Sequence, residues 1–560
     1  MENYSPYEYV KKRQSTMSSS RGTWEDHWQE ILDYVMPRKA DITFVRSKGE
    51  KRTEVLFDST AITANTLLSA SLQGTLTSPS LAWFNIKLRN KDLNEDRDVQ
   101  LWLEDTANRM YDTFNDSNFN TEVHEMYLDL TSIGTGCLFV EEARKGFDVD
   151  GIHFNTLHIS EYYISENNNG FVDTVYRKYK LNARQAVQEF GEDNLGTKVL
   201  EASRQKPDKE FTFIHAVEPT EDYERGTGVK ATTKLPFHSC HVCEEDKMLV
   251  RTGGYNEFPY LVPRWSKATG ETYGRSPSYN ALPDIKTLNK AVEIGLKAWA
   301  KAIDPPLLVQ DDGVIGRVRT TPAGITVIRN DGAIKPLQIG NNWQITDMKE
   351  TQLRTAIRQS YYSDQLQLQE GPQMTATEVQ VRYELMQRLL GPTLGRFQSE
   401  FLNPLIERVF GIMLRAGALM PIPEQIQETK VDIEYVGPLA RSQRMEEAQA
   451  IDRLYALAAN VAQIDPSIMD NINHDEAIRM RAKLLGVPKT ILYGVDEVED
   501  KREAQAQAAQ QQQEMMMAQQ AAETSKAQGE AAKAVADPEV QGVMKEAEVE
   551  AERMNAANNG

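Results

Sequence analysis

Cysteine is nearly absent: Cys137, Cys240 and Cys243 are the three in 560 residues. Three thiols cannot build a disulfide framework in a chain of this length, which points to a reducing compartment. Long apolar runs are also missing. No stretch approaches the ~18 apolar residues that a membrane helix needs. The stretch Met1 to Lys12 is polar, carries Glu2 and Glu8, and has no apolar core of the kind a signal peptide shows. These absences describe a protein made and used in solution, with no membrane partner. Positive charge is in deficit too. Lys and Arg number 63 against 82 Asp and Glu, a formal charge of −19. A protein that grips DNA phosphates tightly needs clustered Lys and Arg, and no strong basic block is present. Sequence-specific DNA binding is thereby disfavoured, whereas loose enclosure of DNA is not.

What is there suits a large folded chain. Hydrophobic residues make up 40% and charged residues 26%, ordinary for globular proteins, and the length calls for two to four domains. Thr23 can cap a helix in which Trp24, Trp28, Ile31, Leu32 and Val35 share a face, stopped by Pro37. Asp58 can cap a second helix to about Thr77, and a strand follows at Trp83 to Ile86. A third helix is expected from Glu95 to Phe114 along Val99, Trp102, Leu103 and Met110. A fourth runs from Thr121 to Ile133, and Gly134-Thr135-Gly136 leads from it into a strand, Cys137 to Glu141. Residues 150 to 265 read as mainly β, in short aromatic and β-branched runs with one short helix near Asn182 to Phe190.

Helix returns at Pro277. Leu282, Ile285, Leu288, Val292, Leu296, Trp299 and Ile303 recur at three- and four-residue steps, one apolar stripe over about seven turns. Asp304-Pro305-Pro306 ends it. The stripe suits ordinary packing on neighbouring helices first, and a membrane or coiled-coil seam second, and its length is unusual for a globular domain. A Gly- and Pro-punctuated β stretch from Leu307 to Trp343 precedes a second helix from Thr346 with Leu353, Ile357 and Tyr361 on one side. A polar loop, Ser363 to Gln373, carries Gln365, Gln367, Gln369, Glu370 and Gln373, and no Lys or Arg lies between Arg358 and Arg382. Thr375 and Glu378 have capping-box spacing and open a long helix to about Ala416, with kinks expected at Gly391-Pro392 and Pro404. A strand at Val431 to Tyr435 and helices at Ser442 to Ala462 and His474 to Leu485 follow. From Glu499 the composition collapses to Ala, Gln, Glu and Met, good helix formers with too few large apolar residues to pack alone.

Signatures of catalysis are weak. His238, Cys240, His241 and Cys243 are the best metal candidates, but no second cysteine pair exists, and on a strand Cys240 and Cys243 face opposite sides. Gly270 to Ser276 falls short of a phosphate loop by one residue between the glycines and has Arg275 where lysine is required. Leu128 occupies the position where His124-Glu125 would need a second zinc histidine, and no nucleophile elbow is present. Asp148-Val149-Asp150-Gly151 has Leu157 where a calcium loop needs glutamate. No catalytic residue, metal or cofactor is assigned.

One long, ordered pattern is specific. Phe258-Pro259-Tyr260-Leu261-Val262-Pro263-Arg264-Trp265 precedes Gly270-Glu271 and Tyr273-Gly274-Arg275-Ser276-Pro277. Ala281-Leu282-Pro283-Asp284-Ile285-Lys286 then leads to Leu288-Asn289. Together these resemble the signature of the portal proteins, the head-to-tail connecting proteins of short-tailed phages. The Trp24 to Arg38 segment, the Asp58 to Trp83 segment and Thr375-Ala376-Thr377-Glu378 resemble that family as well, so that the likeness covers roughly residues 5 to 490.

The resemblance implies a helix-rich α+β fold in the portal architecture, with no enzymatic activity. It divides the chain into a wing at 1–276, a first stem helix at 277–304, a clip at 305–345 and a second stem helix at 346–364. A tunnel loop at 365–374, a long kinked helix at 375–417, a wing return with crown-side helices at 418–498 and a helical or disordered tail at 499–560 complete it. Such subunits form rings, usually of twelve copies, at one capsid vertex, through which DNA is packaged and ejected. The implied partners are copies of the chain itself, a packaging terminase motor, tail adaptor proteins, capsid and scaffold proteins, and double-stranded DNA without sequence specificity. The implied place is the virion, with assembly in the host cytoplasm. The stripe from Leu282 to Ile303 would then assemble the ring, and Gln365, Gln367, Gln369, Glu370 and Gln373 would face the channel. Two other readings stand beside this one: a scaffold or internal core protein with similar Ala/Gln-rich helices, and a zinc-dependent hydrolase built on residues 238–243.

Overall fold

The structure is a computed structural model. It describes the chain apart from residues 1–4, 48, 81, 90–95, 143–150, 304–306, 310–313, 316–326, 329–333, 337–342, 364–390, 427–430, 436–437, 464, 486, 488–490, 536–537 and 558–560. Helices and antiparallel sheets are both present, as in an α+β fold. The chain divides into two units, 1–446 and 447–560.

Helix α1 spans Pro6–Val35, and its start corrects the expected one at Thr23. The cap is a reciprocal pair: the Glu8 N–H donates to Ser5 Oγ, and Ser5 N–H donates to the Glu8 carboxylate. The first half buries Tyr9 and Val10 with Tyr176, Ile214 and Tyr223, and polar contacts add to that packing. Tyr9 donates to Glu218 at 3.1 Å, and the buried Arg21 donates to the carbonyls of Ile159 and Tyr162. Helix α2 (Thr60–Leu76) starts where the Thr60 N–H meets the Asp58 carboxylate at 2.8 Å. Helix α3 (Arg97–Asp116), capped by Asp96, buries the stripe Val99, Trp102, Leu103, Met110 and Phe114. Helix α4 (Phe119–Ile133) ends at Gly134 in the left-handed conformation. Strand β1 (Phe84–Leu88) pairs antiparallel with a strand from much later in the chain, Val431–Tyr435, in the register Phe84 to Tyr435.

Strands β2 (Leu138–Glu142), β3 (Ile152–Thr156) and β9 (Tyr260–Leu261) form a three-stranded sheet in the order β3-β2-β9. Strands β4 (Tyr162–Glu166), β5 (Val172–Asn182), β6 (Glu210–Pro219), β7 (Phe237–Cys243) and β8 (Met248–Tyr255) make a five-stranded antiparallel meander. The expected single helix is α5 (Ala183–Phe190), capped by Asn182 with Gln185. Two more, α6 (Thr197–Gln205) and α7 (Thr220–Thr227), correct that expectation. The α6 N-terminus is capped from a distance: the Asp246 carboxylate accepts from the Lys198 and Val199 N–H groups, so nothing beside α6 in the sequence announces it.

Three histidines of this sheet are buried. The rings of His215 and His241 stack 3.9 Å apart, and Tyr260 and Ser239 hydrogen-bond the two nitrogens of His215 at 2.6 and 2.9 Å. Burial first, then the charges of Arg177 and Arg251, hold the His215 pKa well below the usual histidine value. Burial likewise takes His238 down to about 4. The unfolded chain therefore gains these protons near pH 6.5 while the folded chain refuses them. Stability is lost as pH falls below that point. Burial raises the pKa of Glu218 and acts with the opposite sign, so the clean measurement is a difference. Thermal melts of the parent should fall between pH 7.5 and 5.5 more steeply than those of His215→Asn, by up to roughly 1.4 kcal/mol per pH unit. Equal slopes would remove His215 from the account.

Helix α8 covers Pro277–Ile303, the span its stripe predicts. Strand β10 (Leu307–Val309) pairs with β13 (Ile334–Pro336), and β11 (Val314–Ile315) with β12 (Val327–Ile328), nested antiparallel pairs in the chain between α8 and α9. Helix α9 starts at Trp343 rather than Thr346 and ends at Ser360. The capping pair Thr375 and Glu378 lies outside the described residues. Residues 391–397 are helical, Gln398–Leu402 form a π turn, and α10 continues over Asn403–Arg415.

In the second unit, helices follow one another at Pro438–Ala462 (which begins before the boundary), His474–Leu485, Val495–Val535 and Pro538–Ala557. Among its described residues, the buried apolar side chains are Ala448, Ala458 and Ala482. The low-complexity tail thus takes the helix its composition favours without a core of its own.

Candidate functional site

The stripe on α8 is two surfaces in the folded chain. Leu282, Ile285 and Leu288 are buried in the main core with Ile357 of α9 and Tyr361 just past its end, and Val292 packs against that cluster. Past Val292 the same stripe leaves the body: Leu296 is 50%, Trp299 57% and Ile303 65% exposed. Ile294 and, on α9, Met348 are exposed as well. The two helices run antiparallel. Ser278 Oγ meets Tyr361 Oη at 2.6 Å near one end, and Gly295 lies beside Glu350 further along. Arg354 on α9 ties the pair to the body through Asp58 at 3.0 Å and to Glu350 at 3.2 Å.

The base of α8 is held by the specific sequence pattern. Gly134 and Gly274 touch backbone to backbone. A Cβ on Gly274 would come within 2.2 Å of the Gly134 carbonyl oxygen, and Gly134 itself has φ +85°. Around them the Trp265 N–H donates to the Gly134 carbonyl at 2.9 Å, the Gly136 N–H to Pro263 at 3.1 Å, and the Arg275 N–H to Ser266 at 2.8 Å. The Gly274 N–H donates to Thr135 Oγ1 at 2.9 Å. Ser276 and Ser278 donate to the carbonyls of Ser132 and Thr131, at the C-terminal end of α4. Further along α8, Asn289 donates to the Val55 carbonyl and accepts from the Phe57 N–H, both at 2.7 Å. These bonds satisfy the open end of α4 and fix the direction in which α8 leaves the body.

Beneath this junction lies an ion cluster that neither composition nor periodicity indicates. Arg264 is fully buried. It takes Glu400 in a two-pronged grip, Nε at 3.1 Å and Nη2 at 2.7 Å, and its backbone N–H adds a third bond at 3.0 Å. It also pairs with Glu166 at the end of β4, and donates to the carbonyls of Thr272 and Gly170. Lys267 meets Glu166 at 2.5 Å. Arg396 reaches Glu400 as well, at 3.6 Å, so three positive and two negative charges join β4, the segment before α8 and the π turn.

Gln365, Gln367, Gln369, Glu370 and Gln373 lie outside the described residues. The histidine and cysteine run is on β7: Cys240 packs with Tyr9, Tyr176 and Tyr223 on one face of the sheet, Cys243 with Phe190, Phe211 and Phe213 on the other. Burial pushes the Cys240 thiol up and Cys243 up to about 11, away from the thiolates that zinc needs. Among the described residues no group of three or more His, Cys, Asp or Glu is placed to hold a metal ion, and no helix is long and apolar enough to cross a membrane.

Comparison with known proteins bears on most of the chain. The family described as bacteriophage head to tail connecting protein matches residues 8–492. A protein named probable portal protein, of Bordetella phage BPP-1, is 33% identical over 515 residues, 89% of this chain and 91% of that protein. The portal protein of Salmonella phage epsilon15 is 29% identical over 534 residues, 93% of this chain and 94% of that one.

Proposed function

The chain belongs to the bacteriophage head-to-tail connecting proteins and serves as a portal, a structural virion component, and from that premise we propose that it works as a ring of identical subunits whose inner loops admit DNA. The assignment divides the chain into wing (1–276), stem helices (277–304 and 346–364) around a clip (305–345), tunnel loop (365–374), kinked helix (375–417), wing return with crown-side helices (418–498) and tail (499–560). The observation that carries the ring is the exposed far half of α8. Leu296, Trp299 and Ile303 form an apolar strip on a helix whose base is rigidly anchored, and an exposed strip of this kind asks for a partner surface. A second copy, presenting the same anchored helix pair, supplies one by a head-to-tail contact that closes. Purified protein imaged by negative stain should show rings with a central hole, twelvefold in the family's usual form. Monomers at every concentration tested would overturn the proposal.

The clip, a loop-rich insertion between two helices, serves in this reading as the docking surface for the terminase motor during packaging and for tail adaptors afterwards. DNA passes a wall that does not hold it. The formal charge of −19 per chain repels phosphates over a Debye length of ~8 Å. Gln365, Gln367, Gln369 and Gln373 exchange hydrogen bonds with phosphates or water without trapping the duplex, and Glu370 adds repulsion. Changing Gln367 and Gln369 together to Lys should leave rings intact and slow DNA passage several-fold at low salt, with the defect easing as salt rises. Packaging and ejection rates equal to the parent at low salt would place these side chains away from DNA.

A further inference from the structure

Pro404 has no N–H, so the carbonyl of Glu400, four residues earlier, lacks its ordinary helical donor, and the proline ring crowds it. The helix widens at that point. Gln398–Leu402 form a π turn in which the Asn403 N–H reaches five residues back to the Gln398 carbonyl. A π turn holds one extra residue, and such turns persist where neighbours enforce them. Two neighbours do so here. The Glu400 side chain is gripped by Arg264 through three bonds, and Phe397 lies 5.4 Å from the Tyr127 ring, nearly parallel to it, with Tyr127 itself bonded to Thr77.

Both contacts are made in the π register. Expelling the extra residue would turn everything upstream by about 100° and shift it by about 1.5 Å, taking Phe397 off Tyr127 and changing the approach of Glu400 to Arg264. A buried ion pair is a poor source of net stability, and its best-attested use is to choose between registers. Arg264 is suited to that choice, because it sits at the meeting point of β4, through Glu166, and the turn, through Glu400.

We propose that the turn Gln398–Leu402 is a two-position register switch, locked in its π position by the grip of Arg264 on Glu400, and that release turns the upstream helix by one residue relative to the five-stranded sheet. The mechanical claim stands whether or not residues 365–374 line a channel. If they do, the grip of Arg264 on Glu400 and Glu166 ties the chain that follows them to the sheet.

The test uses the full-length protein. Glu400→Gln keeps the shape of the side chain and weakens the grip. Amide hydrogen exchange over residues 397–403 should then rise at least tenfold while the melting temperature stays within a few degrees. Unchanged exchange would overturn the lock. Pro404→Ala restores the missing donor, and with Glu400→Gln it should yield an unbroken α-helix through 398–402, with Phe397 away from Tyr127, in a high-resolution structure. A double variant that keeps the π turn, or that loses this helix altogether, would show that no second position exists.

Discussion

Trp299→Asp is expected to abolish ring assembly and leave a folded monomer. Trp299 is 57% exposed on the part of α8 that has left the core, and surface changes away from caps and networks cost a monomer within about ±0.5 kcal/mol. In the proposed ring the same side chain is buried against a neighbour. Truncating a buried interface tryptophan costs about 2 kcal/mol or more, and leaving a carboxylate unpaired there costs several more. Since every contact in a ring carries the loss, assembly at micromolar protein should fail. Leu296→Asp should behave alike. Leu288→Asp is the contrast: that side chain is 1% exposed inside the chain's own core, so the monomer itself should be lost. Sedimentation velocity with thermal melts separates the cases. Rings of normal size from both Trp299→Asp and Leu296→Asp would refute the seam.

Gly274→Ala is expected to destabilise the junction at the base of α8 by about 3 kcal/mol or more, the upper end of overpacking costs. The new methyl would sit 2.2 Å from the Gly134 carbonyl oxygen and 3.0 Å from Cβ of Arg264. Backbone cannot swing aside as a flexible side chain can. The opposing Gly134 is held in turn by its own bonds to Trp265 and to the end of α4. Gly270→Ala is the control. Gly270 has φ +83° but nothing within 4 Å of the added carbon, so that variant should show the cost of backbone strain alone, about 1 kcal/mol. Melting temperatures of the three proteins decide the matter, and parity of Gly274→Ala with the parent would show that the contact yields.

Much of the fold is legible in the order of the residues. Helix α8 has the span that its three- and four-residue steps mark out, and the strand at Val431–Tyr435 lies where β-branched and aromatic residues alternate. Both signals are local periods. The first half of α1 escapes because Tyr9 and Arg21 are held by Glu218 and by carbonyls near residue 160, partners that no window of neighbouring residues contains. Helix α6 escapes for the same reason, its cap being Asp246. The kink expected at Pro404 takes the form of a π turn just before it, because a proline marks where a helical bond is lost but not how the turn rearranges. The pattern from Phe258 to Asn289 is visible as a family signature. Its physical meaning, two glycines in contact and an arginine holding two glutamates, comes from chain segments far apart in sequence.

By itself the sequence determines that α8 carries one long apolar stripe, because side-chain identity and helical period are both properties of consecutive residues. It determines as well that the chain is acidic, poor in thiols and without a long apolar helix. Only the tertiary structure decides that the stripe is divided at Val292, with Leu282, Ile285 and Leu288 in the chain's own core and Leu296, Trp299 and Ile303 facing outward. Burial is decided by what the rest of the chain brings alongside. Here α9 and the end of α4 cover the base of α8, whereas past Val292 the side chains of Leu296, Trp299 and Ile303 stay exposed among the described residues.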